Sequence, residues 1–557
     1  MTAASPLKLA LLAAVLLASA CGPADRRGQA GGESTHQAAA LKRITAAMFA
    51  DPKVLHSALA ASQTGLGYLY DLVNSGMTIV DNRGFRRAQL AEDVPSLENG
   101  LWRLLPDGRM ETTWRIRAGA QWHDGEPLTS RDLQFTTRVE RDRELPEFRS
   151  ALNDSVEAVE ALDPHQLLVR WKEPHIWADR MYPKILAAHL LEQSYLDSKG
   201  AFRELLYWSD EFVGLGPFKV REWTRGSHIL LEANDQYVLG RPKIDLMEVR
   251  FILDEQTFIG NLLGGALDVS LGTNLNIEQA LEIKNQWAGG RVELEDSSWI
   301  ALYPQFLNPN PAVVADVRFR RALLHGIDRQ AMVDTIQGGL VQVAHSWVSP
   351  NSPEYADTVS AAARYDYDPR RATDIIENIG YVRSADGVFK DRLGQALALE
   401  LRVTATPAIH PRAFFPVVDY WQRLGLVIDP VVIPTQRIPD VEYRTQHPTF
   451  ELIRFAHGPD AMDRLRGSAA PVAANNYRGT NRSRYIEPAF DALVDRYFTT
   501  IPWPERIQVL REVVHQISDQ LIIMGLFYAA RAYFIGNRMN HVYGANLVWN
   551  AHEWDIG

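Results

Sequence analysis

The side chains that could carry out chemistry in this sequence do not fall into the spacings that enzymes use. There is no Gly-x-Ser-x-Gly nucleophile elbow, no phosphate-binding Gly-x-x-x-x-Gly-Lys loop and no His-Glu-x-x-His zinc motif. Gly65 and Gly67 begin a dinucleotide-binding pattern, but its third glycine is missing. We therefore expect no catalytic residue, no enzyme activity and no cofactor.

The histidines do not predict a metal site. The nearest pairs, His165 with His175 and His447 with His457, are too far apart in sequence to chelate an ion from one helix face. A scattered histidine is far more often structural or exposed than a metal ligand. We expect no metal centre.

Cys21 is the single cysteine, so no intramolecular disulfide can form. It follows the apolar segment 7–20, which is typical of a signal peptide and too short to span a bilayer. Residues 17–21 resemble the lipobox of bacterial lipoproteins, in which the cysteine is acylated, although Ala18 stands where leucine is commoner. The alternative is an ordinary secretory signal cut after Ala20. Either interpretation predicts an exported protein, and the first places it in the periplasm or at the cell surface, anchored through lipidated Cys21.

The N-terminal composition predicts a signal peptide at 1–20 and a lipid-anchored flexible tether at 21–41, rich in Gly, Ala and polar residues. The net charge of -10 argues against nucleic-acid binding, which needs a basic face. Beyond the signal segment no apolar run is long enough for a membrane span. We expect a monomer whose contact with the membrane is its lipid anchor.

The elements that would position a site are mixed. Strand-like runs lie at 167–171, 228–232, 248–253 and 399–403, and Val317–Ile336 and Pro504–Leu521 show the i, i+3, i+4 spacing of surface helices. This mixture predicts an α/β protein with mixed sheets.

Several motifs follow one another in a fixed order. Asp107-Gly108 and Asp124-Gly125 are hairpin turns, and Thr129 with Asp132 forms the N-terminal capping pattern of a helix. The other members of the series are Trp114–Arg117, Trp122–Gly125, Gly214–Lys219, Gly240–Pro242, Asp316–Arg318, Ile327–Arg329 and Tyr367–Ala372. Together they resemble the signature of the family 5 extracellular solute-binding proteins, the peptide- and nickel-binding group of bacterial ABC importers, over nearly the whole mature chain.

The resemblance implies the two-lobed periplasmic-binding-protein fold of type II, in its large three-subdomain form, with a hinge. Domain I would comprise 42–76, 202–296 and 521–557, domain II 77–201 and domain III 297–520. The ligand would lie between domains I and III and be enclosed by hinge closure.

The resemblance also implies the walls of the binding cleft. One wall would contain Gln63 and Thr64, and another would contain Trp299 or Tyr303, unless both rings belong to the core. Peptide-binding members carry an aromatic residue and an acid on the third wall. Here Phe455 replaces the aromatic residue, and Asp460 is displaced by two positions from the acid, so it is either the ligand's charge partner or a solvated loop residue. Asn476 and Tyr477 follow where the family has an asparagine and an aromatic residue near the ligand.

The implied function is the capture of a small molecule, in the first instance a peptide, and its delivery to an ABC permease coupled to an ATPase. The alternatives are a non-peptide solute such as a metal chelate, an opine or a sugar-like molecule, a binding lobe that serves a sensor, and a secreted hydrolase on an unrelated fold.

Overall fold

The protein is described by a computed structural model over residues 41–60 and 63–557. The predicted signal peptide, Cys21 and the tether up to residue 40 lie outside the described residues, as do Ala61 and Ser62. Within the described part, no helix is both long enough and apolar enough to cross a membrane.

The strands are β1 (Arg43–Met48), β2 (Thr78–Val80), β3 (Arg86–Ala88), β4 (Trp102–Leu104), β5 (Met110–Arg115), β6 (Val156–Asp163), β7 (Gln166–Trp171), β8 (Phe218–Thr224), β9 (His228–Ala233), β10 (Leu246–Phe251), β11 (Val269–Ser270), β12 (Gly290–Pro304), β13 (Val382–Arg383), β14 (Phe389–Lys390), β15 (Ala398–Thr404), β16 (Val427–Ile433), β17 (Phe450–Phe455), β18 (Met524–Gly536), β19 (Met539–Asn540) and β20 (Asp555–Ile556).

The helices are α1 (Leu66–Val73), α2 (Ser130–Glu140), α3 (Ala188–Asp197), α4 (Lys199–Arg203), α5 (Glu255–Leu263), α6 (Ile277–Gln286), α7 (Val317–His325), α8 (Arg329–Gln337), α9 (Tyr355–Thr358), α10 (Pro369–Asn378), α11 (Ile409–Leu424), α12 (Val441–Thr445), α13 (Pro488–Thr499) and α14 (Trp503–Asp519). Short 3₁₀ turns complete the connections.

One ten-stranded sheet runs through both lobes in the order β16-β15-β17-β12-β18-β11-β1-β10-β9-β8. Strands β15, β16 and β17 pair in parallel in the second lobe, and β10, β1 and β11 pair in parallel in the first, while β12 and β18 are antiparallel. Because β12 and β18 are long and lie in the middle of the order, they join the two lobes. Their register shifts between Asp296 and Ser298, which bends the pair at the junction.

The first lobe carries an additional four-stranded sheet, β4-β5-β7-β6, in segment 77–201. The turn at Asp107-Gly108 joins β4 to β5, and Gly108 has a φ of 85°, which a glycine adopts without strain. Helix α2 begins as predicted, since the Thr129 N–H donates to Asp132 Oδ2 at 2.9 Å. Local polar signals thus set the start of this helix.

Helix α1 is held close to the segment that precedes β8. A Cβ atom on Gly216 would lie 2.4 Å from the Val73 carbonyl carbon, so only glycine allows this approach. The Gly216 N–H donates to the Val73 carbonyl oxygen at 3.2 Å. The contact fixes α1 against the segment that precedes β8.

In the second lobe, helix α11 packs against β15, β16 and β17. The segment 317–336 forms two helices, because Gly326 ends α7 and Asp328 caps α8 by accepting the Ala331 N–H at 2.9 Å. The buried Trp421 of α11 donates its indole N–H to the Leu323 carbonyl at 3.1 Å, which ties α11 to α7.

Candidate functional site

A cavity of about 600 Å³ lies between the lobes. The first lobe contributes the β2–β3 hairpin around Arg86 and the segment 176–180. The second lobe contributes the loops 349–354 and 456–460 and the N-terminal part of α14, and Asp296 lies at the junction. Segments far apart in sequence therefore meet around one space, whose volume falls within the range of small-molecule sites.

Asp296 is the acid at the hinge. It lies on β12, next to the register shift, and its carboxylate makes no hydrogen bond or ion pair with any described residue. Burial, with a further contribution from the neighbouring Glu295, raises the pKa of the Asp296 carboxyl to about 6. Glu295 itself accepts the Tyr533 hydroxyl at 2.6 Å. Asp296 is therefore a partly buried carboxylate that faces the cavity without a counter-charge.

Arg506 on α14 is a cation of the cavity wall that forms no ion pair with a described residue. Its Nη1 donates to the Ile501 carbonyl at 3.0 Å, and its guanidinium lies 5.2 Å from the Trp503 ring centre. No carboxylate of the described part pairs with it, so donors remain for a ligand oxygen. Among the described residues, the cavity thus offers two acids without an ion pair, Asp296 and Glu354, and one such base, Arg506.

The other charges in the cavity are paired, except that of Glu354. The Glu354 carboxylate accepts a hydrogen bond from the Ser352 hydroxyl and forms no ion pair with a described residue. Arg86 lies 3.6 Å from Asp179 within the first lobe. Arg180 forms an ion pair with Asp460 across the gap between the lobes. Asp460, predicted as a ligand contact, does line the cavity, but in this arrangement its carboxylate is bound by the protein's own Arg180.

Backbone and ring contacts also cross the gap. The Ile176 N–H of the first lobe donates to the Phe498 carbonyl of the second at 2.9 Å. The Trp177 ring meets the Phe498 ring edge-on, with centroids 4.9 Å apart. The two lobes are thus in direct contact beside the cavity, which corresponds to a closed arrangement.

Trp299, Tyr303 and Phe455 lie together behind the cavity wall. Trp299 and Tyr303 are each 2% exposed, and the Trp299 indole N–H donates to the Tyr303 hydroxyl at 3.3 Å. Phe455 is the β17 partner of Trp299, and its ring contacts that of Tyr303. His457 lines the cavity, and its ring centre lies 5.6 Å from the ring centre of Trp299. Trp299 and Tyr303 thus belong to the core of the second lobe, and Phe455 packs against it. The sequence had left the core position open as an alternative for Trp299 and Tyr303, and a role of the three rings in binding stays a prediction.

Four other predicted residues are not brought to this cavity. The Thr64 hydroxyl donates to Asn274 Oδ1 at 2.7 Å, and Gln63 Oε1 is buried without a partner among the described residues. Asn476 is exposed, and the Tyr477 hydroxyl accepts from Gln446 at 2.8 Å. Their role in binding a ligand remains a prediction.

Sequence reasoning missed Asp296, Arg506, Arg86 and Arg180. The available signal for the first was the pair of acids Glu295-Asp296 at the point where the chain enters the second lobe. The basic residues had no signal, because most arginines of such a chain are exposed and only the fold shows which of them face the cavity.

No group of three or more His, Cys, Asp or Glu side chains that could hold a metal ion occurs among residues 41–60 and 63–557. His457 in the cavity wall has its pKa lowered to about 4 by burial, so the ring is neutral at physiological pH.

Residues 93–476 match the model of the bacterial extracellular solute-binding proteins, family 5. A Brucella ovis protein, whose name describes a peptide-binding protein of an ABC transporter, is 27% identical over 268 residues, covering 47% of this chain and 48% of the relative. The oligopeptide-binding protein AppA of Bacillus subtilis is 22% identical over 369 residues, covering 65% of this chain and 64% of AppA. The chain thus spans about half the length of the first of these relatives and under two thirds of the second.

Solved structures confirm the predicted fold. NikA from Brucella suis in complex with Fe(III)-EDTA superposes with a TM-score of 0.75 at 16% identity, covering 92% of this chain and 100% of NikA. Bacillus subtilis AppA in complex with a nonapeptide has a TM-score of 0.68 at 18% identity, covering 93% and 99%. At these identities the likeness establishes the two-lobed architecture and leaves the ligand open.

Proposed function

Because the chain belongs to the bacterial extracellular solute-binding proteins of family 5, we propose that it captures a small solute, in the first instance a peptide, between its two lobes outside the cytoplasm. Binding without turnover is the activity. The captured solute is passed to a membrane permease that an ATPase drives.

The observation that carries this proposal is that the interlobe cavity holds groups of both charge signs that form no ion pair within the described part of the chain. Asp296 on β12 and Arg506 on α14 line the cavity from two different elements and are ion-paired to no described residue. Charges held in a cavity without ion-pair partners are costly, so a space that keeps such groups of both signs is suited to a zwitterion. A peptide supplies an ammonium group for Asp296 and a carboxylate for Arg506.

The names of relatives support the peptide class without deciding it. One solved neighbour holds a nonapeptide and another holds Fe(III)-EDTA, so the same fold accommodates both kinds of ligand. An anionic chelate would be attracted to Arg506 but repelled by Asp296, whereas a peptide uses both charges. This favours the peptide.

The proposed domain division follows from the hinge. Domain I comprises 42–76, 202–296 and 521–557, domain II 77–201, and domain III 297–520. Strand β12 then crosses from domain I into domain III, while its partner β18 lies within domain I. The bend at Asp296 and Ser298 supports this assignment, because a displaced register is a point where two sheet halves can rotate. Ligand capture closes domain III onto domains I and II.

We further propose that Cys21 is acylated after cleavage of residues 1–20 and that segment 21–41 tethers the binding body to a membrane. The support is the sequence pattern around Cys21.

Mass spectrometry of small molecules released by denaturing protein purified from its native host tests the proposal. We expect a stoichiometric solute with both an amino and a carboxyl group, much depleted from the Asp296→Asn variant. The exposed Asp93, which makes no polar contact with another described residue, provides the matched control Asp93→Asn. Release of a metal chelate would identify the other ligand class, and turnover of ester or peptide substrates would contradict the binding role.

A further inference from the structure

A second chamber, of about 260 Å³, adjoins the interlobe cavity. Val80, Arg86 and Asn546 line both spaces, so only these side chains stand between the two. The remaining walls come from α1, from the β2–β3 hairpin and from the C-terminal segment 546–549. The chamber therefore lies on the first-lobe side of the cavity, where a bound molecule could extend.

Helix α1 presents one polar face to this chamber. Tyr68, Asp71 and Asn74 recur every three residues and line it, whereas Leu69 and Leu72 are fully buried in the core. The Tyr68 hydroxyl is hydrogen-bonded to the Tyr533 hydroxyl at 2.9 Å. The Asn74 side chain donates to the Tyr70 hydroxyl and accepts from the Leu215 N–H. Asp71 is the member of this face whose polar atoms have no partner.

The Asp71 carboxylate makes no hydrogen bond or ion pair with any residue in the described part of the chain. The nearby cations are engaged elsewhere: Arg86 pairs with Asp179 and donates to Thr78 at 3.0 Å, and Lys184 donates to Ser57. Burial raises the pKa of Asp71 to about 7, although the charge of Lys184 opposes the rise. A positive group entering the chamber would favour the ionised form.

Trp549 in the opposite wall supplies the second unsatisfied group. Its indole Nε1 is buried and has no hydrogen-bond acceptor in the described residues. A water molecule could accept that bond, but it would leave the Asp71 carboxyl without an ion pair. Among the described residues, the chamber thus provides no ion-pair partner for Asp71 and no hydrogen-bond acceptor for Trp549.

We propose that this chamber is a side-chain subsite of the captured solute and that it takes a basic group, an ammonium or a guanidinium, which pairs with Asp71. The inference rests on the proposed function, because the group must belong to a molecule held in the interlobe cavity. It adds a preference for ligands with a lysine-like or arginine-like side chain.

Capture from an equimolar random pentapeptide mixture, followed by sequencing of the bound peptides by mass spectrometry, tests the inference. We expect the wild type and Asp93→Asn to enrich peptides with lysine or arginine, and Asp71→Asn to reduce that enrichment about tenfold. Ile79→Phe narrows the chamber while leaving Asp71 in place, and we expect it to lower the enrichment too. Circular dichroism checks that each variant is folded.

The outcomes separate the two claims. Peptides captured with the same composition by the wild type and by Asp71→Asn would overturn the subsite and leave the proposed function standing. If Asp71→Asn does not fold, unchanged enrichment by Ile79→Phe would overturn it instead. If no protein captures any peptide, the peptide-binding function and the subsite both fail.

Discussion

Replacing Asp296 by asparagine should weaken ligand binding while stabilising the ligand-free protein. Burial, aided by Glu295, raises the carboxyl pKa from 3.8 to about 6, so the ionised form is disfavoured in the folded state. That rise corresponds to about 3 kcal/mol at neutral pH, and solvent in the cavity reduces the figure to about 1–2 kcal/mol. Asparagine keeps the shape and removes the charge.

The sign of the pH dependence follows from the raised pKa. Between pH 3.8 and about 6 the folded protein holds more protons at this site than the unfolded chain. The free energy of unfolding of the wild type therefore falls as the pH rises through that window. The penalty is fully present above about pH 6 and absent below pH 3.8. The melting temperature of Asp296→Asn should therefore exceed that of the wild type at pH 7.5 and match it near pH 3.5, if both remain folded there.

Binding has the opposite dependence on this group. A ligand ammonium pairs with the ionised carboxylate, so below about pH 6 binding must displace a proton. The dissociation constant of an alanine peptide should be about tenfold higher at pH 5 than at pH 7. His457 stays neutral over this interval because its pKa is about 4. An alanine side chain is too short and uncharged to pair with Asp71, so that residue does not contribute to the binding of this peptide.

Isothermal titration calorimetry from pH 5 to 8, combined with differential scanning calorimetry, measures both effects. Asp296→Asn should bind at least tenfold more weakly at pH 7 and show a flat pH profile, while Asp93→Asn should match the wild type. Unchanged affinity together with a lower melting temperature would refute this account and make Asp296 a structural residue.

Three further outcomes are expected. Asp460→Asn should raise the ligand's dissociation rate with less than a fivefold loss of affinity, because the partly exposed ion pair of Asp460 with Arg180 joins the lobes. Stopped-flow kinetics measures the rate, and a loss of affinity above thirtyfold would instead make Asp460 the ligand's partner. Arg482→Leu should destabilise the protein by about 3–5 kcal/mol in urea, since it leaves the buried Glu451 without its two-pronged partner, and a change below 1 kcal/mol would contradict that. Cys21→Ser should abolish incorporation of labelled palmitate in the native host, whereas persistent labelling would exclude this cysteine as the anchor.

Local signals in the sequence predicted the elements well. The turn at Asp107-Gly108 and the Thr129–Asp132 cap are confirmed, because each depends on a few neighbouring residues. The mixed sheet is confirmed as well. The helical spacing of apolar residues over 317–336 predicted one continuous helix, whereas the structure has two, α7 and α8. Gly326 ends the first and Asp328 caps the second without changing the apolar spacing.

The site was harder to predict because its residues are brought together by the lobes. Asp460 was identified as a cavity residue, but its pairing with Arg180 depends on a contact across 280 residues. Trp299 and Tyr303 are buried one layer behind His457, which spacing alone does not reveal. Asp296 needed the register shift between β12 and β18 to be recognised as a hinge acid.

Closure around a solute is the central claim, and small-angle X-ray scattering measures it directly. The protein stripped of ligand by unfolding and refolding should show a larger radius of gyration than the same sample after adding the solute recovered from the native protein. Identical scattering in both states, at solute concentrations that saturate binding in calorimetry, would contradict it.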